Sequence, residues 1–358
     1  MKSLLKALLA SLVLTAAAQA TRAATVGTLV LPDDDQGAAV TLFYPTAAAG
    51  RPVTRGDLQL MLAPDAPPAP GNGRLIAISH GSGGGPWVHT TLAKALVEAG
   101  FTVVLPLHRG DNWTDPGRAG PESWKQRPAE ISHAIDRVAA DPRFAHLKLD
   151  SVGGFGMSAG GHTMLSLAGG AWSPERFRAA CEQRLAEDFP ACVGLATGLT
   201  GGALDGIKLW LARHVLSWKF RGDDAPQTYT DPRLVAIVAA VPAAADFDMS
   251  TLAHPRVPLG LITADGDRWL KPRFHSDAVL AACTGCERVA ELHGAGHGAL
   301  LAPPPPANNL GRLECDLLCD PEGFDRAAVT AQWVGATVGF FRKHLLGASD
   351  MQGFKDQP

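Results

Sequence analysis

Ten residues, Val152-Gly153-Gly154-Phe155-Gly156-Met157-Ser158-Ala159-Gly160-Gly161, organise everything else in this chain. Residues 152–156 read as a buried strand, and a helix begins directly after Ser158. A strand that passes into a helix through a single residue makes a sharp, strained turn. Gly156 and Gly160 relieve the contacts that side chains would make there, which leaves Ser158 at the tip. The five-residue pattern alone arises by chance in glycine-rich chains, and this one holds 39 glycines. Its placement between strand and helix is what gives it weight.

Outward from that point, strand and helix alternate. Residues 75–79, 101–105, 234–241, 259–264 and 289–292 read as further strands. Helices are expected at 90–98, around 131–140, and at 327–345. Such alternation predicts an α/β fold: a mostly parallel central sheet with helices on both faces. Residues 26–31 and 39–44, punctuated by Pro, Gly and Asp, read as N-terminal antiparallel strands. Residues 169–231 break the alternation with Trp172, Trp210, Trp218, two cysteines and a helical run at 207–216. They are expected to form a helical insertion over the sheet, in which aromatic residues serve packing before substrate contact. Residues 308–320, entered through Pro303 to Pro306, read as a long loop. No internal repeat is visible.

A serine hydroxyl is a weak nucleophile at neutral pH, so a base must lie within hydrogen-bond reach and an acid must orient that base. Asp267 follows the strand at 259–264, and His297 follows the last strand within Gly294-Ala295-Gly296-His297. Ser158, Asp267 and His297 are therefore the candidate catalytic triad, in chain order Ser, Asp, His. Asp265 is the rival acid, but a turn through Gly266 favours Asp267 at the loop tip. His293 is the rival base, at a strand boundary suited to a structural role. His80, His108 and His162 read as satisfied turn or helix residues. The glycine-rich Ser79-His80-Gly81-Ser82-Gly83-Gly84-Gly85 follows a strand and can aim backbone N–H groups at a developing oxyanion. Ser82 and Ala159 are the candidate oxyanion-hole donors. A phosphate cradle would need a Lys-Ser or Lys-Thr pair, which is absent from this stretch. Trp87 and Trp269 stand close in sequence to site elements and are candidate pocket walls.

With these motifs the chain resembles the predicted dienelactone-hydrolase group of the α/β-hydrolase superfamily, relatives of platelet-activating-factor acetylhydrolases and serine esterases of that kind. The resemblance rests on residues 79–84, on Arg127-Pro128 and Ile131-Ser132 ahead of Asp141-Pro142, on Gly156 to Gly161, on Asp231-Pro232-Arg233 and on Gly294 to His297. It implies hydrolysis of a carboxylic ester without metal or organic cofactor. Ser158, Asp267 and His297 take the triad roles, with Ser82 and Ala159 as oxyanion donors. True dienelactone hydrolases use a cysteine nucleophile, whereas this chain has serine. An amidase or peptidase on the same triad, and a non-catalytic ligand-binding member of the fold, are the alternatives.

Composition favours a small-molecule partner, and the resemblance implies that the partner is a small-molecule or polymeric ester. The chain of 358 residues is 46% hydrophobic and 19% charged, with formal charge −3 and no dense Lys/Arg cluster. That gives no footprint for nucleic acid. Lys2 and Lys6, an apolar run at 7–14 and Ala18-Gln19-Ala20 read as a secretory signal peptide over residues 1–23. The apolar run falls short of the roughly 20 residues that cross a bilayer, so stable membrane insertion is not expected. The expected product is exported, periplasmic or extracellular, with residues 24–358 as a single domain carrying the 169–231 insertion. Cys181, Cys192, Cys283, Cys286, Cys315 and Cys319 form three close pairs. An oxidising compartment would make them local disulfides. A zinc site from the last two pairs is the alternative, opposed by the strand of about 17 Å expected between them.

Overall fold

The computed structural model describes residues 25–347, residue 36 excepted. The expected signal peptide lies outside the described residues. Ten strands build one sheet: β1 (Thr25–Leu31), β2 (Val40–Thr46), β3 (Arg51–Arg55), β4 (Leu58–Pro64), β5 (Leu75–Ser79), β6 (Thr102–Pro106), β7 (Val152–Met157), β8 (Leu234–Ala240), β9 (Leu259–Ala264) and β10 (Glu287–Leu292). Their order is β10-β9-β8-β7-β5-β6-β2-β1-β4-β3. From β6 through β10 every neighbouring pair is parallel. Parallel neighbours need crossovers, and the helices that provide them cover both faces. Strands β5, β6 and β7 are accordingly buried along their whole length. The fold is α/β.

The N-terminal strands differ in one pairing from a purely antiparallel arrangement. β1 runs antiparallel to β2, and β3 to β4, but β1 and β4 are parallel through Gly27↔Ala63 and Thr28↔Pro64. The β3–β4 hairpin turns so that β4 faces inward. The short, mostly exposed β3, carrying Pro52, is left as the sheet edge, where a missing N–H is tolerated.

Two apolar clusters sandwich the sheet. One joins Ile131 and Ile135 of helix Arg127–Ala140, Met164 of helix Ala159–Leu167 and Ile237 of β8. The other joins Leu92 and Leu96 of helix Thr90–Glu98 to Phe155 of β7 and Trp333 of helix Arg326–Leu345. Helix Thr90–Glu98 has the bounds its sequence predicts. The helix expected around 131–140 begins earlier, at Arg127, because Pro128 is compatible with a first helical turn.

Residues 169–231 leave the sheet and fold into helices Pro174–Arg184, Phe189–Val193 and Asp205–Phe220. Phe177, Leu185, Phe189 and Leu216 are continuous with the first apolar cluster, so the insertion packs on the core rather than standing off it. Cys181 and Cys192 are joined across it, with Cα atoms 5.7 Å apart. Where the chain returns, Asp231 accepts hydrogen bonds from Ser132 Oγ at 2.7 Å and from Arg233. Burial pushes its pKa up, but the bonds from Arg233 and Ser132 outweigh that and hold it at about 2. Trp172 is buried, whereas Trp210 and Trp218 face solvent, the latter 84% exposed.

Residues 308–320 are not simply a loop. They contain helix Arg312–Leu318, whose start is held by Gly311 N donating to Glu314 Oε2 at 2.7 Å. Cys315 and Cys319, four residues apart on that turn, are bonded to each other, as are Cys283 and Cys286.

His89 is fully buried, packs edge-on against Phe155, and has no partner for either ring nitrogen. Burial alone lowers its pKa to about 4. The unfolded chain, with an ordinary imidazole near 6.5, therefore binds more protons than the folded one between those values. Stability is full above that window and falls as pH drops through it, by about 3 kcal/mol. His89→Leu is expected to flatten this dependence in urea titrations between pH 6.5 and 4, relative to the unsubstituted protein.

Candidate active site

Ser158 stands between β7 and helix Ala159–Leu167 at φ 60° and ψ −119°, a conformation that a non-glycine residue adopts only under constraint. The constraint is visible in its hydrogen bonds. Ser158 N donates to Ala240 O at 3.0 Å, and its carbonyl accepts from His162 N at 3.0 Å and Ala243 N at 3.2 Å. The flanking glycines are sterically required: a Cβ at Gly160 would stand 1.9 Å from Ser79 O, and one at Gly156 would stand 2.0 Å from Gly160 O. Gly81 comes close to the serine itself, since a Cβ there would lie 3.4 Å from Ser158 Cβ.

The loops after β9 and β10 bring two Asp–His pairs side by side. Asp267 Oδ2 lies 2.7 Å from His297 Nδ1, both buried, while Asp267 Oδ1 accepts from Trp269 N at 2.8 Å and Leu270 N at 2.9 Å. Three bonds hold this carboxylate, so Nδ1 carries the proton and Nε2 is left with its lone pair. Asp265 pairs instead with His293 at 3.0 Å, and accepts from Gly294 N at 2.6 Å. That second pair is exposed; the bond between its members raises the His293 pKa and lowers that of Asp265. Ser158 and His297 line one cavity, and no hydrogen bond joins Ser158 Oγ to the ring in this structure. Catalytic hydrogen bonds commonly close only with substrate in place.

Ser82 and Ala159 line the same cavity. Ala159 N opens a helix and has no preceding turn to bond, and Ser82 N donates to no acceptor among the described residues. The Ser82 side chain points elsewhere, with Oγ 3.0 Å from Asp111 Oδ2.

Behind this loop lies a buried polar network that sequence reasoning missed in part. Asp111 accepts from Gly83 N at 3.0 Å, from Ser123 Oγ at 2.8 Å and from Arg127 Nη2 at 2.8 Å. Burial raises the Asp111 pKa, but Arg127 and the three donors on Ser123, Gly83 and Ser82 overcome it and hold the group ionised. Arg127, fully buried, also donates to His80 O at 2.5 Å. His80 Nε2 accepts from His108 N at 3.1 Å, so its Nδ1–H is the donor to Gly81 O at 2.7 Å. Burial, reinforced by His108 and Arg127, pushes the His80 pKa well down. His108 bridges Glu130 at 2.6 Å and Ser79 at 2.8 Å; burial lowers its pKa and raises that of Glu130. Arg127 and His80 stood in sequence motifs, but Asp111 and Glu130 had no local pattern to mark them.

The cavity measures about 1260 Å³ and lies between the loops that follow the strands and the 169–231 insertion. Trp87 and Trp269 line it, together with mainly apolar residues of the insertion such as Phe177, Leu211 and Leu216. Its polar wall includes Asp188, 3.0 Å from His275 Nε2, and Asp246, 3.0 Å from His162 Nε2. Each of these pairs is separated by more than 80 residues in sequence, and no spacing announced them. Among the described residues no group of three or more potential ligands is placed to hold a metal ion.

No family model matches the chain, and no curated protein does. Solved structures do, and among them is a ferulic acid esterase from Streptomyces cinnamoneus. The TM-score is 0.59 and the identity 17%, over 96% of this chain and 95% of that one. At that identity the likeness is one of fold.

Removing the positive member of a buried pair strands its partner charge. Arg127→Met is expected to cost about 3–5 kcal/mol in urea unfolding. Arg273→Met, which breaks the exposed pair with Glu187 and a cation–π contact with Phe274, should cost about 1 kcal/mol or less.

Proposed function

We propose that the chain is a serine hydrolase of carboxylic esters, exported from the cell, acting through Ser158, His297 and Asp267. The observation that carries this reading is the buried His297–Asp267 pair, whose ring keeps Nε2 unbonded and lines the same cavity as the strained Ser158.

His297 Nε2 takes the Ser158 proton as Oγ attacks the ester carbonyl. The tetrahedral oxyanion is received by the N–H groups of Ser82 and Ala159, which have no other acceptor. Collapse expels the alcohol, which leaves with the proton from His297. Water, deprotonated by the same nitrogen, then attacks the acyl-enzyme, and Ser158 regains its proton as the acid leaves. Asp267 fixes the tautomer and balances the imidazolium charge formed in each step.

The fold shared with a ferulic acid esterase supports ester hydrolysis as the reaction class, and aromatic-acid esters belong in the first substrate panel. The motifs at 79–84 and 156–161 support a place near the dienelactone-hydrolase group. For export, the N-terminal pattern at 1–23 and the three disulfides are the support.

Ser158→Ala is expected to lower kcat on p-nitrophenyl butyrate by about 10³-fold or more, with unchanged melting temperature. Full activity in that variant would overturn the assignment. Asp267→Asn, which leaves the ring in the wrong tautomer, should cost about 10²- to 10⁴-fold. Asp265→Asn, at the exposed pair, should stay within about threefold. Equal losses in the two would remove the distinction between them. Matched anilides in the same assay separate an esterase from an amidase.

A further inference from the structure

We infer that Asp188 is a specificity residue: its free carboxylate oxygen accepts a hydrogen bond from a hydroxyl or protonated amine on the substrate. This rests on the ester-hydrolase reading of the cavity and narrows the class of ester that it takes.

Asp188 immediately precedes helix Phe189–Val193, where an aspartate ordinarily caps the first turn by accepting a backbone N–H. It makes no such bond. The carboxylate instead faces His275, Oδ2 lying 3.0 Å from Nε2, with both side chains 3% exposed. His275 Nδ1 accepts the N–H of Ala244 at 2.9 Å, and a backbone nitrogen can only donate. Nδ1 is therefore unprotonated, Nε2 carries the proton, and the imidazole that faces Asp188 is neutral. No lysine or arginine forms an ion pair with Asp188 among the described residues.

That leaves a carboxylate with one oxygen satisfied by a neutral donor and the other, Oδ1, buried and without a partner. Buried acceptors are nearly always paired, and an unpaired carboxylate oxygen is among the costlier exceptions. Asp188 also lines the cavity that holds Ser158 and His297. Nearby wall positions Pro190, Leu270 and Ala244 offer apolar side chains. A polar acceptor in a largely apolar pocket fixes orientation and selects for a ligand able to donate to it. The backing is rigid: Ala244 N holds His275, His275 holds Asp188, and Ala243 N is bonded to the carbonyl of Ser158. The acceptor is thus tied through a short chain of bonds to the nucleophile's own backbone. Hydroxyl and ammonium groups share the needed donor, whereas an anionic substituent would be repelled.

The test uses matched ester series on the native protein: methyl 3-phenylpropanoate against its para-hydroxy and para-aminomethyl analogues, and phenethyl acetate against the same two substitutions on the alcohol. In at least one series a donor-bearing ester is expected to exceed the plain one in kcat/KM by about tenfold or more, mainly through KM. In Asp188→Asn, where the free oxygen can become an N–H donor, that ratio should fall to about one. Whether the hydroxyl or the amine is preferred tells the two donors apart. Binding of the corresponding ketones, followed by calorimetry, reads the same preference without turnover. A protein that hydrolyses none of these esters yet prefers donor-bearing ketones through Asp188 would sink the esterase reading and keep the subsite. Equal handling of plain and donor-bearing ligands in both readouts overturns the subsite. So does a preference that survives Asp188→Asn, or one abolished only by Asp246→Asn.

Discussion

The contact on which the rest depends is the approach of the Gly160 backbone to the carbonyl of Ser79, too close for any Cβ to fit between them. It locks the first turn of helix Ala159–Leu167 against the end of β5. Two consequences are unavoidable. The chain entering that helix must pass through Ser158 in a left-handed conformation, and the glycine-rich loop after β5 must run alongside the same serine. A strained nucleophile and a row of backbone N–H groups are therefore delivered to one place by backbone packing alone. His297 and Asp267 arrive at the same end because β9 and β10 are parallel to β7, so their carboxyl ends share one edge of the sheet.

Holding a glycine-rich loop in one conformation needs something behind it, and here that role falls to charge rather than to apolar packing. Arg127 and Asp111 are both fully buried. The pair gains little net stability over a well-packed apolar substitute, because desolvating two charges offsets most of their attraction. What it provides is direction: the Asp111 carboxylate reaches Gly83 N and Ser82 Oγ, while the guanidinium reaches the carbonyl of His80. His80, neutral and fixed in tautomer, then bonds Gly81 O. With the Ser82 hydroxyl and the Gly83 N–H both engaged, Ser82 N is left without an acceptor on the cavity side of the loop.

The sheet, the turn at Ser158 and the Asp267–His297 pairing were legible because each is written in local pattern: apolar runs of strand length, glycines at fixed offsets, and side chains placed just beyond strand ends. Asp265 and Asp267 could be ranked on turn geometry, since Gly266 between them reverses which carboxylate points inward. The parallel β1–β4 pair was not legible, because residues 51–64 read equally well whichever strand of the hairpin faces inward. Helix Arg312–Leu318 was hidden by the prolines before it and by cysteines that read as loop staples. Asp111, Asp188 and Asp246 were invisible for a further reason. Each sits outside any motif, and its partner is either an arginine 16 positions away or a histidine more than 80 away.

The four Asp–His pairs around this site show how little residue type says without environment. Asp265–His293 lies in solvent, and the bond between its members raises the His293 pKa and lowers that of Asp265 without enclosing either group. Asp267–His297 is buried, its carboxylate is also bonded by two backbone N–H groups, and its ring, which belongs to the cavity wall, has one nitrogen left unbonded. Asp246–His162 is buried among Trp124, Trp172 and Phe247, and its ring has an unpartnered Nδ1 closed off by aromatic faces rather than open to a substrate. In Asp188–His275 the roles reverse: the imidazole is spent on a backbone amide, and the carboxylate is the group left over. A free lone pair on nitrogen at one wall suits proton transfer, and a free acceptor oxygen at another suits recognition. In a cavity whose walls are mainly apolar, a few polar groups of this kind are enough to orient a ligand.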